Sequence, residues 1–174
     1  MRRLMLLRHA KSDWSAGRPD VDRPLARRGR EAAPRMGRYL SEEGLVPDLV
    51  LVSAARRTGE TWALVEPFLG PTEVRHDARI YEAPARRLLS VVQEVDPAVL
   101  GLLMIGHNPG FADLAKLLIG YGDRYAFARL SQKFPTAGLA VIDFDADSWT
   151  RIGPGQGRLE RFVTPKSLGA EEDD

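Results

Sequence analysis

Short uninterrupted runs of apolar residues alternate along this chain with longer segments in which apolar residues recur every three or four positions. The short runs predict strands that are buried on both faces, and they cover residues 4–7, 48–52 and 99–105. The longer segments predict amphipathic helices over residues 26–43, 54–69 and 85–95, with a fourth helix beginning after residue 108. Strands that alternate with helices in this way are typical of a largely parallel α/β sheet.

The rest of the pattern completes this picture. Residues 72–80 are predicted to be extended, and three further strands are predicted over residues 139–144, 149–152 and 159–163. Pro34 lies inside the first helix, so we expect a kink there or a late helix start. Ser53 and Asn108 lie where helix N-caps belong, and Pro109 would then be the first residue of its helix.

These elements predict a single-domain, three-layer α/β/α sandwich with a mostly parallel central sheet. We expect the domain to span residues 1–164 and an acidic, flexible C-terminal tail to span residues 165–174. A chain of 174 residues leaves little room for a lid over the sheet, which favours an open site.

Composition excludes several kinds of site. With 44% hydrophobic and 28% charged residues, the chain is typical of a globular protein. It has no cysteine, which excludes disulfides, thiolate metal sites and a cysteine nucleophile. Neither metal-ligand spacing nor a glycine-rich nucleotide motif is present, so we expect no metal and no cofactor. The apolar run at residues 4–7 is too short for an export signal, and no run approaches the ~20 residues of a membrane span, which favours a cytoplasmic location without membrane contact.

Charge is distributed unevenly along the chain. The net charge is +1, which gives no general attraction to nucleic acid. Residues 1–90 carry 17 basic and 12 acidic side chains, whereas residues 91–174 carry 8 and 12. Solvated faces and the acidic end of the chain explain this imbalance in the simplest way, and an anion site in the N-terminal half is the alternative. The basic residues are four lysines and 21 arginines, and arginine is the better fork for phosphate.

Basic side chains follow three of the predicted strands, at the sheet edge where ligands of α/β proteins bind. Arg8 and His9 follow the first strand. Arg56 and Arg57 open the helix after the second strand, and His107 follows the third. Each of these positions alone is typical of a structural residue. Together, beside helix N-termini that favour anions, they indicate an anion pocket that contains imidazole.

Phosphoryl transfer to histidine is the chemistry that suits such a pocket. A neutral imidazole nitrogen can attack phosphorus when its other ring nitrogen is held as a hydrogen-bond donor. Arginine forks can neutralise the oxygens of the phosphoryl group during the transfer.

Five segments of the chain resemble the histidine phosphatase superfamily, also called the phosphoglycerate-mutase-like superfamily, and within it the SixA-type phosphohistidine phosphatase branch. The segments are LLRHAKSDW (residues 6–14), DRPLARRG (22–29), SAARRTGET (53–61), IYEA (80–83) and GHNPG (106–110), in the family's order. The resemblance implies the phosphoglycerate-mutase-like fold and a metal-independent phosphatase with a phosphohistidine enzyme intermediate. The substrate that it implies is phosphohistidine on a signalling or phosphotransfer protein.

The resemblance also implies a role for each matching residue. His9 matches the nucleophile, and Arg8 matches the arginine that binds the phosphoryl group. The family's spacing selects Arg57, rather than its neighbour Arg56, as the second phosphate-binding arginine. His107 matches the second pocket histidine, a donor to the phosphoryl oxygens.

The acid–base residue is less clearly marked by the motifs. Glu82 is the candidate by position, a plain surface glutamate is its alternative reading, and Asp13 ranks lower. An imidazole leaving group needs less protonation than an alkoxide, so a weak acid would favour phosphohistidine over phosphate monoesters. Ala10 stands where the family's commonest motif has glycine, and it would be strained if its φ were positive.

Two other functions fit the same residues. One is a small-molecule phosphomonoesterase acting on a sugar or nucleotide phosphate. The other is a phosphate-binding module without catalysis, whose mark would be the loss of His9 or of an arginine, and neither is lost. Lys11 and Ser12 follow His9 and are candidates to reach phosphate or substrate. Trp14 either lines the mouth of the pocket or packs over the loop, and His76 is predicted to be a solvated strand or loop residue. The sequence leaves the physiological substrate, the partner protein and the oligomeric state open, and it is compatible with a monomer.

Overall fold

A central sheet of seven strands organises the part of the chain that the structure, a computed structural model, describes, which is residues 1–15 and 17–171. The strands are β1 (Arg2–Arg8), β2 (Leu49–Ser53), β3 (Glu73–Asp77), β4 (Gly101–Gly106), β5 (Ile119–Gly122), β6 (Leu139–Phe144) and β7 (Gly157–Val163). Their order across the sheet is β3-β2-β4-β1-β6-β7-β5. Neighbouring strands are parallel except where β6 pairs with β1 and with β7.

Helices cover both faces of this sheet. They are α1 (Arg27–Glu42), α2 (Arg56–Val65), α3 (Ala85–Gln93), α4 (Gly110–Leu118) and α5 (Arg124–Gln132). Strand β1 shows how one strand serves two cores, because successive side chains point to opposite faces. Leu4 and Leu6 pack with α3, α4 and α5, whereas Met5 and Leu7 pack with α1 and α2. The predicted three-layer α/β/α sandwich with a mostly parallel sheet is therefore confirmed.

Two local predictions in the C-terminal half are wrong. Residues 149–152, predicted as a strand, contain a 3₁₀ turn at Trp149–Arg151. Trp149 is fully buried, and its indole N–H donates to the carbonyl of Val99 at 2.7 Å, which anchors the turn beneath the sheet. Strand β5 and helix α5 fall in a region predicted as a loop. The Asp123 side chain caps α5 by accepting from the backbone N–H of Ala126 at 3.0 Å.

The starts of two other helices also differ from prediction. Helix α1 begins at Arg27 and continues through Pro34, so the late start is wrong. Burial of Ala33 and Leu40 on the same helix offsets the backbone hydrogen bond that proline cannot donate. Helix α4 begins at Gly110, one residue later than predicted, although the Asn108 side chain still accepts from a backbone N–H of its first turn.

Strands β2, β4 and β1 lie side by side and run parallel, so their carboxyl ends meet at one edge of the sheet. This edge places the residues that follow the three strands next to one another. Near the other end of the chain, Lys166–Leu168 forms a 3₁₀ turn within the predicted tail. Residues 172–174 lie outside the described residues, and the domain boundary at residue 164 stays a prediction. No helix within residues 1–15 and 17–171 is long and apolar enough to cross a membrane.

Candidate active site

A cleft of about 690 Å³ lies at the edge where β1, β2 and β4 end. Its walls include Arg8, His9, Arg57 and His107, which come from three separate segments of the chain. Glu82 also lines the cleft, on an exposed position with a φ of 54°. The structure thus brings together all five residues selected from the sequence.

The His9 ring is buried, with 6% of the residue exposed, and its protonation pattern follows from one hydrogen bond. Its Nδ1 lies 2.7 Å from the carbonyl oxygen of Ala10. Because a carbonyl only accepts, Nδ1 carries the proton and Nε2 carries the lone pair. Burial lowers the pKa of His9 well below its ordinary value, and the nearby His107 adds to this effect, while the Ala10 bond opposes it. His9 is therefore a neutral imidazole with an available nucleophilic nitrogen.

Thr61 connects the loop that follows β1 to helix α2. Its hydroxyl accepts from the backbone N–H of Ala10 at 3.1 Å and donates to the carbonyl of Arg57 at 2.7 Å. Thr61, the last residue of the family-like segment 53–61, thereby links Ala10, the neighbour of His9, to Arg57. Among the described non-glycine residues, positive φ occurs at Glu82 and Ala137, so the strain considered for Ala10 does not arise.

Arg57 lies in the cleft wall, and its neighbour Arg56 does not. Only 5% of Arg57 is exposed, and its guanidinium donates to the backbone carbonyl of Asp20 at 2.7 Å and to the Asp20 carboxylate at 3.1 Å. The Arg56 side chain is 40% exposed and pairs with Glu60 at 2.9 Å. The spacing that selected Arg57 therefore agrees with the geometry.

The Arg8 guanidinium is held in the cleft by a backbone carbonyl from a distant part of the chain, a contact that the sequence did not predict. Its guanidinium donates to the backbone carbonyl of Phe134 at 3.1 Å. The Asn108 side chain donates to the same carbonyl at 2.8 Å. Because Phe134 follows the unpredicted helix α5, this helix positions part of the cleft.

His107 faces His9, with the two ring centroids 5.3 Å apart. Burial, followed by the charge of Arg57, lowers the pKa of His107 to about 4, so the ring is neutral at neutral pH. Its Nε2 lies 2.7 Å from the hydroxyl of Ser53. The prediction that Ser53 is a helix N-cap is wrong: Ser53 ends β2, and Ala55 precedes α2.

Asp20 and Tyr81 belong to the site but were missed from the sequence. The Asp20 carboxylate binds Arg57, accepts from Arg23 at 3.1 Å and accepts from the Tyr81 hydroxyl at 2.5 Å. The Tyr81 hydrogen bond, with Arg57 next, lowers the pKa of Asp20 to about 2. Asp20 begins a 3₁₀ turn, Asp20–Asp22, in a segment without periodic pattern. Its only signal in the sequence is its closeness to the family-like segment that begins at residue 22.

Of the two candidate general acids, Glu82 lines the cleft and Asp13 does not. The Asp13 carboxylate accepts from the backbone N–H and the hydroxyl of Ser15, which lowers its pKa. Trp14 lines the cleft with 73% of its surface exposed, and His76 is an exposed residue of β3, away from it. Across residues 1–15 and 17–171, no group of three metal-binding side chains lies together.

Comparison with known proteins identifies the class. The chain belongs to the histidine phosphatase superfamily (branch 1), whose sequence profile matches residues 4–94. An uncharacterised protein of Mycobacterium tuberculosis is 35% identical over 162 residues, which is 92% of this chain and 100% of that protein. The resemblance to the superfamily is therefore confirmed.

Solved structures agree with this membership. An Agrobacterium tumefaciens protein provisionally assigned as the phosphohistidine phosphatase SixA superposes with a TM-score of 0.81, at 30% identity over 94% of this chain and 98% of that one. A mycobacterial glucosyl-3-phosphoglycerate phosphatase complexed with VO3 gives a TM-score of 0.66, at 19% identity over 91% of this chain and 97% of that one. The second likeness shows the fold alone, and the phosphoglycerate-mutase-like fold is confirmed.

Proposed function

We propose that this protein is a phosphatase that transfers the phosphoryl group of its substrate to His9 and then hydrolyses the phosphohistidine intermediate. The observation that carries the proposal is the hydrogen bond from His9 Nδ1 to the Ala10 carbonyl, which leaves Nε2 as a buried lone pair. Arg8, Arg57 and His107 line the same cleft. Membership of the superfamily implies phosphatase activity of this kind.

The chemistry proceeds in two displacements at phosphorus. His9 Nε2 attacks in line, so a P–N bond forms while the bond to the leaving group breaks. The guanidinium groups of Arg8 and Arg57 neutralise the charge on the phosphoryl oxygens, and His107 donates to them. Water then attacks the phosphorus, the P–N bond breaks, and inorganic phosphate leaves with His9 restored. Protein cations supply the positive charge, so the scheme needs no metal ion or cofactor.

The proposed substrate is phosphohistidine on a signalling or phosphotransfer protein. Asp20, with a pKa of about 2, is ionised at neutral pH and has no proton to give a leaving group. Glu82, exposed at the rim, is the candidate general acid. A departing imidazole demands less of that acid than an alkoxide does. The exposed rim, including Trp14, suits a phosphoryl group presented by a protein. We also propose that the protein acts in the cytoplasm.

Phosphoenzyme trapping across a substrate panel tests the proposal. A phosphorylated histidine-containing protein, phosphoramidate and a set of sugar and nucleotide phosphates are each mixed with enzyme. The reaction is quenched under alkaline, denaturing conditions, and acid-labile phosphate is measured on the enzyme chain after its separation from any substrate protein. We expect label on the wild type and none on His9→Ala, with turnover abolished. His76→Ala, which removes an exposed histidine of β3, is the matched control and should label normally. Labelling or turnover that survives in His9→Ala would refute the mechanism.

A small-molecule phosphomonoesterase is the second candidate. The cleft volume of about 690 Å³ lies within the roughly 300–1,000 Å³ range of small-ligand sites, and the fold is shared with a sugar-phosphate phosphatase. Clear preference for esters over phosphohistidine in the same panel would replace the proposed substrate with this class. Phosphate binding without label or turnover on any substrate would instead identify a non-catalytic binding module.

A further inference from the structure

The residue that ends β2, Ser53, makes a contact that bears on the second histidine of the site. Ser53 is fully buried, and its hydroxyl lies 2.7 Å from Nε2 of His107. We propose that Ser53 is a positioning residue that holds His107 in the tautomer with its proton on Nδ1, so that Nδ1–H donates to the phosphoryl group at His9. This inference rests on the proposed function, because it assigns the phosphoryl group to that cleft.

The direction of the Ser53–His107 hydrogen bond follows from the partners of the hydroxyl. A serine hydroxyl has one hydrogen to donate and two lone pairs that accept. The backbone N–H of Ala55 approaches the same oxygen at 3.5 Å, as a weak donor. Within the described part of the chain, His107 Nε2 is the acceptor that the Ser53 hydroxyl meets. If Nε2 carried the proton instead, a buried hydroxyl hydrogen would lose its acceptor, which is unfavourable.

The other ring nitrogen of His107 points to the same tautomer. Nδ1 is buried and has no hydrogen-bond partner among the described residues. With Nε2 occupied by Ser53, Nδ1 is the nitrogen left for a ligand in the cleft that His107 lines. As N–H it donates to a phosphoryl oxygen, whereas as a bare lone pair it would repel that oxygen. A neutral His107 ring can therefore donate a hydrogen bond to the phosphoryl oxygen, and no third positive charge is needed beside Arg8 and Arg57.

The backbone around Ser53 is fixed by the hydroxyl of a second residue, Thr58. The Thr58 hydroxyl lies 2.8 Å from the carbonyl of Ser53 and 2.7 Å from the carbonyl of Ala55, and it can donate to either. Thr58 is also fully buried. Thr58→Val thus perturbs the same segment while leaving the Ser53 hydroxyl in place, which makes it a matched control for purely structural effects.

Imidazole ¹⁵N spectroscopy tests the tautomer directly. The chain has three histidines, so the His107 signals can be assigned with His9→Gln and His76→Gln variants. We expect the wild type to show the Nδ1–H tautomer at His107, and Ser53→Ala to show a mixture with Nε2–H. Thr58→Val should keep the wild-type pattern, and Ser53→Thr, which restores a hydroxyl, should recover it. A wild-type Nε2–H tautomer, or an unchanged tautomer in Ser53→Ala, would overturn the proposal.

Orthophosphate binding and turnover supply the functional readout. Ser53→Ala should weaken orthophosphate binding and lower kcat/KM for phosphoramidate, each by about tenfold, which is less than the ~10²-fold that follows complete loss of an oxyanion donor. Thr58→Val should change neither by more than about twofold at a temperature where it is folded. Unchanged phosphate affinity in Ser53→Ala would contradict the donor role. The tautomer and the affinity are measured without turnover, so failure of the phosphatase proposal would be recognised separately.

Discussion

Replacing Arg57 by alanine separates the contribution of the cleft arginine to catalysis from its contribution to folding. The Arg57 side chain is 6% exposed, whereas its partner Asp20 has 43% of its side chain exposed. Water therefore screens the Arg57–Asp20 ion pair, and such pairs contribute about 0.5–1 kcal/mol to stability. The aliphatic part of the Arg57 side chain also loses its packing in this variant. Together, these losses should lower the free energy of unfolding of Arg57→Ala by about 1–2 kcal/mol.

The catalytic effect should be much larger. A guanidinium about 4 Å from a transferring phosphoryl charge, at an effective dielectric constant of about 20, contributes about 4 kcal/mol. This corresponds to about 10³-fold in rate, in the range that phosphate-binding arginines provide. We therefore expect kcat/KM of Arg57→Ala to fall about 10³-fold on phosphoramidate. Arg57→Lys keeps the charge but loses the two-pronged geometry, so its loss should be intermediate, about 10–100-fold.

Steady-state hydrolysis and urea unfolding measure the two effects on the same preparations. Arg56→Ala is the matched control, because Arg56 adjoins Arg57 in α2 but pairs with Glu60 on the exposed side. We expect it to keep activity within about twofold and stability within about 0.5 kcal/mol. If Arg57→Ala kept more than a tenth of wild-type activity, or if the two variants lost activity equally, the assignment of Arg57 to the phosphoryl group would be refuted.

Three further predictions concern pH, the loop carboxylate and the core. His107 has a pKa of about 4 in the fold and about 6.5 in the unfolded chain. The unfolded chain therefore binds more protons than the folded one between about pH 4 and pH 6.5. The free energy of unfolding should accordingly fall by about 3 kcal/mol from this group as the pH drops from 6.5 to 4, and a pH-independent stability in urea titrations would contradict the buried neutral ring. Asp20→Asn removes a half-exposed negative charge beside Arg57, so orthophosphate affinity measured by calorimetry should rise about two- to fivefold; a decrease would mean that Asp20 instead holds Arg57 in its binding geometry. Gly106→Ala would place its methyl 2.5 Å from a phenylalanine ring and should destabilise by about 1–3 kcal/mol in thermal unfolding, whereas Gly59→Ala, with nothing within 4 Å, should not destabilise.

The sequence was sufficient for the central strands of the sheet and the centre of the site because both depend on strong local signals. The strands β1, β2 and β4 are continuous apolar runs, and such runs predict central strands whose two faces are both covered. Parallel neighbours end at the same edge, so the residues after these strands had to converge. His9, Arg57 and His107 lie in or beside the cleft for this reason, and the family-like motifs then distinguished Arg57 from Arg56.

The parts that were missed depend on contacts between distant segments. Arg8 is held by the carbonyl of Phe134, which is 126 positions away in the chain. Arg57 contacts Asp20, 37 positions away, in a segment whose charged residues show no periodicity. Periodicity describes which face of an element is buried, but it carries no information on which loop carbonyl or carboxylate meets a buried guanidinium. These partners follow from the tertiary fold.

Ser53 shows where a local rule gives the right residue type and the wrong role. A serine just before a helix is predicted as an N-cap because its oxygen can accept from an N–H of the first turn. In the fold this oxygen is 3.5 Å from the N–H of Ala55 and 2.7 Å from Nε2 of His107, which is 54 positions away. The rule considers sequence neighbours, whereas β2 and β4 pair side by side and bring the residues at their ends together. The buried Ser53 hydroxyl therefore bonds to His107, the closer partner at the sheet edge, and does not cap helix α2.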